Sequence, residues 1–133
     1  MSDRPFVYLD TSVALAHLLS ETEVPPPELW DEPLIASRLL VHELHTRIRA
    51  RGLEASHGGA VGQLLARVSL LEVAEPVVAA VATEVPPGLR TLDALHLASM
   101  LFLRNQGAEV RLATYDRRLR AAADALEFDP YPL

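Results

Sequence analysis

Four carboxylates stand at places in this chain where side chains from separate elements can meet. Asp10 follows the apolar run Phe6-Val7-Tyr8-Leu9, Glu43 lies in a helical stretch, Asp93 opens the best helical stretch, and Asp116 comes just after "VRLAT". Glu43 and Asp93 fall on the flanks of their helices' apolar stripes, where a side chain meets a neighbouring element instead of open water. Carboxylates gathered within roughly 4 to 6 Å repel one another and raise some of their pKa values unless a divalent cation neutralises them. The chain has no cysteine, so any metal must be held by carboxylate, imidazole, carbonyl or water, a donor set suited to Mg²⁺ or Mn²⁺. One such ion lowers the pKa of a bound water and a second stabilises a departing oxygen, chemistry that matches phosphodiester hydrolysis. Each acid also has a plain structural reading: Asp93 and Asp116 suit a helix N-cap or first turn, Asp10 a turn, and Glu43 a solvated helix position.

The elements that must position these acids can be read from apolar patterning. Phe6 to Leu9 is a short continuous apolar strand of the kind buried on both faces of a parallel sheet, and Thr11 or Ser12 can cap a helix running to Leu19. Pro25-Pro26-Pro27 then forces an extended connection. Leu34-Ile35-Ala36 is ambiguous. Ser37 suits the N-cap of a helix from about Arg38 to Arg51 that carries Glu43, with Gly52 as its stop. A further helix is expected over Leu53 to Val68, weakened by Gly58, Gly59 and Gly62, then a strand over Leu70 to Val73 and a short helix with Pro76 in its first turn. Thr91 can cap the long helix carrying Asp93, which ends at Asn105-Gln106-Gly107. Val110 to Thr114 reads as a strand, Arg117 to Leu126 as a helix, and Glu127 to Asp129 as an edge strand. Strands separated by helices imply an α/β sandwich with helices on both faces of a short, mostly parallel sheet. Ligands gather at the carboxyl ends of such strands, where Asp10 and Asp116 fall.

Composition narrows the field further. The 133 residues, half of them hydrophobic, suit one domain over residues 1–133. No run reaches the roughly 18 to 20 apolar residues of a membrane span and no cationic leader precedes an apolar run, so the expectation is a soluble, cytoplasmic protein with no membrane partner. A formal charge of −6 argues against a broad nucleic-acid-binding surface. All 12 cationic side chains are arginine, as either bidentate phosphate recognition or a GC-biased genome would produce.

Taken together, "YLDTS" at Tyr8 to Ser12, "SRLLVHEL" with Glu43, "LRTLDALHLASML" with Asp93 and "LATYDRRLRAAA" with Asp116 resemble the four acidic motifs of PIN-domain nucleases, most closely the VapC-type toxins of toxin-antitoxin pairs. The resemblance spans nearly the whole chain in the right order. It implies a PIN-like three-layer α/β/α sandwich, with Asp10, Glu43, Asp93 and Asp116 as the catalytic pocket for Mg²⁺ or Mn²⁺. It also implies that the hydroxyls of Thr11 or Ser12, and of Thr114, orient carboxylates or water. The implied activity is a metal-dependent endoribonuclease that cuts structured RNA such as tRNA or ribosomal RNA, forms a homodimer and binds a cognate antitoxin. With an acidic net charge, RNA binding would rest on a local basic rim, for which Arg47, Arg49, Arg51, Arg117, Arg118 and Arg120 are the candidates; a solvated helix face is their plain reading.

Other signals carry less. "HELH" at His42 to His45 spaces its imidazoles by three residues, not the four of the zinc-protease motif. His96, three residues after Asp93, is expected to point largely away from the inward stripe and to serve packing or hydrogen bonding. The few aromatics form no stacking platform for bases. An aspartyl-phosphate chemistry at Asp10 is disfavoured because Ser12 occupies the place of a second Asp and there is no lysine. A catalytically weak PIN-like binding module acting through a protein partner is the alternative function. Apolar surface after Asp10 and around Leu64-Leu65 could serve a dimer or an antitoxin.

Overall fold

The computed structural model describes residues 4–133. Five strands, β1 (Phe6–Leu9), β2 (Leu34–Ser37), β3 (Val68–Leu71), β4 (Val110–Ala113) and β5 (Asp129–Pro130), form one sheet in the order β3-β2-β1-β4-β5 with every pairing parallel. Six helices connect them: α1 (Thr11–Leu18), α2 (Leu39–Ala50), α3 (Glu54–Leu65), α4 (Glu75–Thr83), α5 (Thr91–Asn105) and α6 (Arg117–Ala125).

Strand side chains alternate between faces, and here both faces are apolar, which is why the strands read as continuous hydrophobic runs. Val7, Leu9, Leu34, Ala36 and Val68 pack with α1, α2 and α3 through Val13, Leu40, Leu44, Ile48 and Leu64. Tyr8, Ile35, Val110 and Leu112 face the opposite way, onto α4, α5 and α6 through Val77, Leu97, Met100 and Leu119. The result is the expected three-layer α/β/α sandwich. Its sheet is parallel at every pairing, including β5, whose Arg111↔Asp129 and Leu112↔Pro130 register sets it on the edge beside β4.

Several boundaries differ from the sequence expectation. Leu34-Ile35-Ala36, ambiguous in sequence, is a fully buried strand. The strand expected over Leu70 to Val73 begins at Val68, because α3 stops at Leu65 and Val68 pairs with Leu34. The caps move as well: α1 is capped by Asp10 itself, and α5 starts at Thr91 behind Arg90, with no side-chain cap bond. Among the described residues, no helix is long and apolar enough to cross a membrane.

Strand order decides where a site can form. The chain lays β2 and β3 to one side of β1 and β4 and β5 to the other. The connections leaving the carboxyl ends of β1 and β4 therefore diverge, opening a crevice at that point.

Candidate active site

Asp10 leaves β1 at this crevice and Asp116 lies three residues beyond β4. Asp10 is buried, at 7% exposure. Its Oδ2 accepts the Ser12 hydroxyl at 2.6 Å, the Thr114 hydroxyl at 2.8 Å and the Ser12 amide at 3.3 Å. The direction of these bonds is set from behind. Ser12 Oγ accepts the Tyr115 amide at 3.0 Å, and Thr114 Oγ1 accepts the Asp116 amide at 2.9 Å. With lone pairs taken by backbone N–H groups, both hydroxyl protons are directed at Asp10. The loops after β1 and β4 are thus tied to each other through one carboxylate oxygen, and Oδ1 keeps its acceptor capacity.

Asp116 caps α6, its Oδ1 accepting the Arg118 amide at 2.9 Å and the Leu119 amide at 3.2 Å. The capping interpretation of this residue and a role in the site are therefore compatible, since Oδ2 takes no part in the cap. Glu43, on α2, has one oxygen engaged: Oε1 lies 2.6 Å from His96 Nε2. Asp93 stands in the first turn of α5. Its carboxyl pKa is raised above the ordinary value, first by partial burial and then by the negative charges of Asp116 and Asp10, with His96 and Arg90 opposing the shift. The repulsion expected of gathered carboxylates is present at this residue.

All four acids line one cavity of about 420 Å³, with Thr11, Ser12, Arg47, Arg90, Leu92 and His96 among its other walls. The sequence-selected acids are thereby brought together. Thr11 contributes a buried hydroxyl that has no hydrogen-bond partner. Of the arginine rim, Arg47 lines this cavity and also an adjoining one shared with Ser12, Leu15, Arg51 and Tyr115. Arg120 lines a separate cavity beside Thr114 and Tyr115, and it pairs with Asp124 at 3.7 Å. Arg49, Arg117 and Arg118 are exposed and line none of these cavities.

His96, Tyr8 and Arg90 take places in the structure that their sequence patterns do not show. His96 does not point away from the interior: it is 1% exposed, with Nδ1 at 2.7 Å from the Tyr8 hydroxyl and Nε2 against Glu43. The hydrogen-bonding role expected of it holds, but its direction is inward. The i, i+3 spacing from Asp93 places both on adjoining faces of α5, a signal that could have located it. Tyr8 passes in sequence as one apolar residue of a buried run, yet its hydroxyl needs a partner when buried. That hydroxyl accepts the Ser37 amide at 3.1 Å, and burial pushes the phenol pKa well upward. Arg90, after the Pro86-Pro87-Gly88 turn, carried no sequence signal and is found in the cavity wall.

The types of donor fit a hard divalent cation: oxygen ligands, a carboxyl whose ionised form is disfavoured first by burial and then by neighbouring carboxylates, and an orphaned hydroxyl. Among the described residues, no three acidic or imidazole groups already stand close enough together to enclose one ion. A larger groove of about 670 Å³, lined by His17, Trp30, Gln63, Leu64 and Arg67, shares no residue with this cavity.

Comparison with known proteins gives the following. A family profile described as the PIN domain matches residues 7–125. Ribonuclease VapC35 of Mycobacterium tuberculosis (strain ATCC 25618 / H37Rv) is 35% identical over 126 residues, covering 90% of this chain and 91% of that protein. Ribonuclease VapC47 of Mycobacterium tuberculosis (strain CDC 1551 / Oshkosh) is 30% identical over 129 residues, covering 92% of this chain and 93% of that protein. A solved structure described as a toxin-antitoxin complex from Klebsiella pneumoniae superposes with a TM-score of 0.59 at 18% identity, over 86% of this chain and 90% of that one, a likeness of fold.

Proposed function

The chain belongs to the PIN-domain family, among its VapC-type members, and from that premise we propose that it is a metal-dependent endoribonuclease, the toxin of a toxin-antitoxin pair. The observation that carries this reading is the single cavity at the β1/β4 crevice, where Asp10, Glu43, Asp93 and Asp116 meet Arg47 and Arg90. Asp10, Glu43, Asp93 and Asp116 would hold Mg²⁺ or Mn²⁺, which supplies a water of lowered pKa and charge neutralisation at the phosphodiester.

The remaining steps fall to this chain's own groups. Ser12 and Thr114 fix Asp10 Oδ2 by donating to it, so that the carboxylate enters the reaction already oriented. Arg47 and Arg90 give the acidic cavity positive charge at its wall, suited to phosphate oxygens flanking the scissile bond. Arg47 and Arg51 continue that charge into the adjoining cavity. RNA binding of this kind weakens steeply as salt rises. The substrate class is structured RNA, tRNA or ribosomal RNA, and the partners are a cognate antitoxin and a second copy of the chain. The relatives named as ribonucleases and the fold shared with a toxin-antitoxin complex support this reading.

The test is incubation of purified, antitoxin-free protein with total RNA and Mg²⁺ or Mn²⁺, beside an Asp93→Asn control, followed by sequencing of new RNA ends. Discrete, metal-dependent ends absent from the control are expected. Intact RNA with both metals, from protein shown to be folded, would replace the nuclease with a binding module acting through its partner.

A further inference from the structure

Glu43 is held by a chain of buried polar groups whose other end lies on the sheet. The Ser37 amide, at the end of β2, donates to the Tyr8 hydroxyl oxygen on β1 at 3.1 Å. The Tyr8 oxygen lies 2.7 Å from His96 Nδ1, and His96 Nε2 lies 2.6 Å from Glu43 Oε1. Tyr8 is wholly buried and His96 is 1% exposed, so no bulk water substitutes for either partner. Three elements of the fold, β1, α5 and α2, thus converge on one imidazole.

Proton counting gives the chain a direction. The Tyr8 oxygen already accepts the Ser37 N–H, and its own hydroxyl proton needs an acceptor. At the far end of the chain Glu43, as a carboxylate, only accepts, so the hydrogen of its 2.6 Å contact belongs to His96 Nε2, which leaves Nδ1 of a neutral ring as an acceptor. His96 Nδ1, within hydrogen-bond distance, takes the Tyr8 proton. A neutral imidazole that accepts at Nδ1 carries its hydrogen on Nε2, and that hydrogen points at Glu43. A buried carboxylate fixed by one donor keeps its second oxygen for another ligand, and donors placed behind a metal-binding group set its orientation.

We propose that His96 is a positioning residue for Glu43: the Tyr8 hydroxyl locks it in the Nε2–H tautomer, and its Nε2–H clamps Glu43 Oε1 so that Oε2 is presented to the acidic cavity. The clamp rests on the metal-dependent nuclease reading for its purpose but not for its existence. Glu43 sits on the α1–α3 layer and His96 on the α4–α6 layer, so the contact also fixes the spacing of the two layers at the carboxyl edge of the sheet.

The first test needs no metal. In uniformly ¹⁵N-labelled protein near neutral pH, long-range ¹H–¹⁵N correlation of the imidazole rings, with His96 assigned by its loss in His96→Gln, should show a protonated Nε2 and an unprotonated Nδ1. A proton on Nδ1 alone, or on both nitrogens, overturns the proposal. The second test is calorimetric titration with Mn²⁺ alone. His96→Leu, which lacks any donor, should bind about 10- to 100-fold more weakly than the parent, while His96→Gln, whose amide can still donate to Glu43, should recover most of that loss. Equal affinity of folded His96→Leu and the parent overturns the clamp. Failure of the parent to bind Mn²⁺ would sink the metal reading of the cavity, while the tautomer spectrum would still decide the hydrogen-bond chain.

Discussion

On the sheet side of the acidic cavity, Asp10 is held by Ser12 and Thr114, hydroxyls from the loops that directly follow β1 and β4. On the helix side, Glu43 is held by His96, which reaches back to Tyr8 on the face of β1 opposite to that of Leu9. The end result is similar: one oxygen of each carboxylate is fixed by donors and the other is left over. The means differ. Around Asp10 the holding groups are short, close in sequence to the strand ends, and tied to backbone amides that any such pair of loops presents. Around Glu43 they come from residues 8, 43 and 96, and the contact exists only when both helical layers dock on the sheet. The sheet side is fixed by the two loops that leave the paired strands β1 and β4, and the helix side by docking of the helical layers. The helix side should therefore lose both position and stability when a single link is cut.

Substitutions on the two sides should therefore differ in what they cost. The largest effect is expected for a carboxylate itself: Asp10→Asn should lower single-turnover RNA cleavage by about 10³-fold or more, because it removes a metal-binding charge rather than a tether. Cleavage within tenfold of the parent would remove Asp10 from the site. Next comes the sheet-side tether. The double variant Ser12→Ala with Thr114→Val should weaken Mn²⁺ binding by about 10- to 100-fold while the melting temperature moves little, since both loops remain anchored by other contacts. A large drop in melting temperature would show that the sheet side is also a structural clamp.

Tyr8→Phe reverses the pattern. It leaves the buried Ser37 amide and His96 Nδ1 without partners, a cost of about 1 to 3 kcal/mol, seen as a fall of roughly 3 to 10 °C in melting temperature. An unchanged melting temperature would mean that the chain of bonds contributes nothing to the fold. The smallest effect concerns Asp93. Its folded pKa is raised, so the native state binds more protons than the unfolded chain, and the associated stability is present at low pH and lost as pH rises through the folded pKa. Asp93→Asn should therefore raise the melting temperature of chelator-treated protein slightly at neutral pH, with the two curves converging below about pH 4. A variant less stable than the parent at neutral pH would reverse the sign argued for the carboxylate cluster.

The sandwich and the four acids were legible in the order of residues alone. Continuous apolar runs such as Phe6 to Leu9 must be buried on both faces, helices between strands require parallel crossovers, and a charged residue directly after a buried strand has only the carboxyl edge to occupy. The hydroxyls of Thr11 or Ser12, and of Thr114, were pointed to by the family resemblance of the motifs around the acids, and the structure assigns the bonds to Asp10 to Ser12 and Thr114. Boundaries such as the start of β3 were not legible, since Val68 is fixed by pairing with Leu34 and not by its neighbours in the chain. The direction of His96, the partner of Tyr8, and the arrival of Arg90 at the cavity were decided by tertiary structure alone, which also singled out Arg47 from the arginines expected at the rim. The physical reason lies in what places each group. Periodicity, capping and the residues flanking a strand end are set by neighbours in the chain, whereas a buried hydroxyl or imidazole takes whichever partner the docked layers present, as Tyr8 takes His96 and His96 takes Glu43.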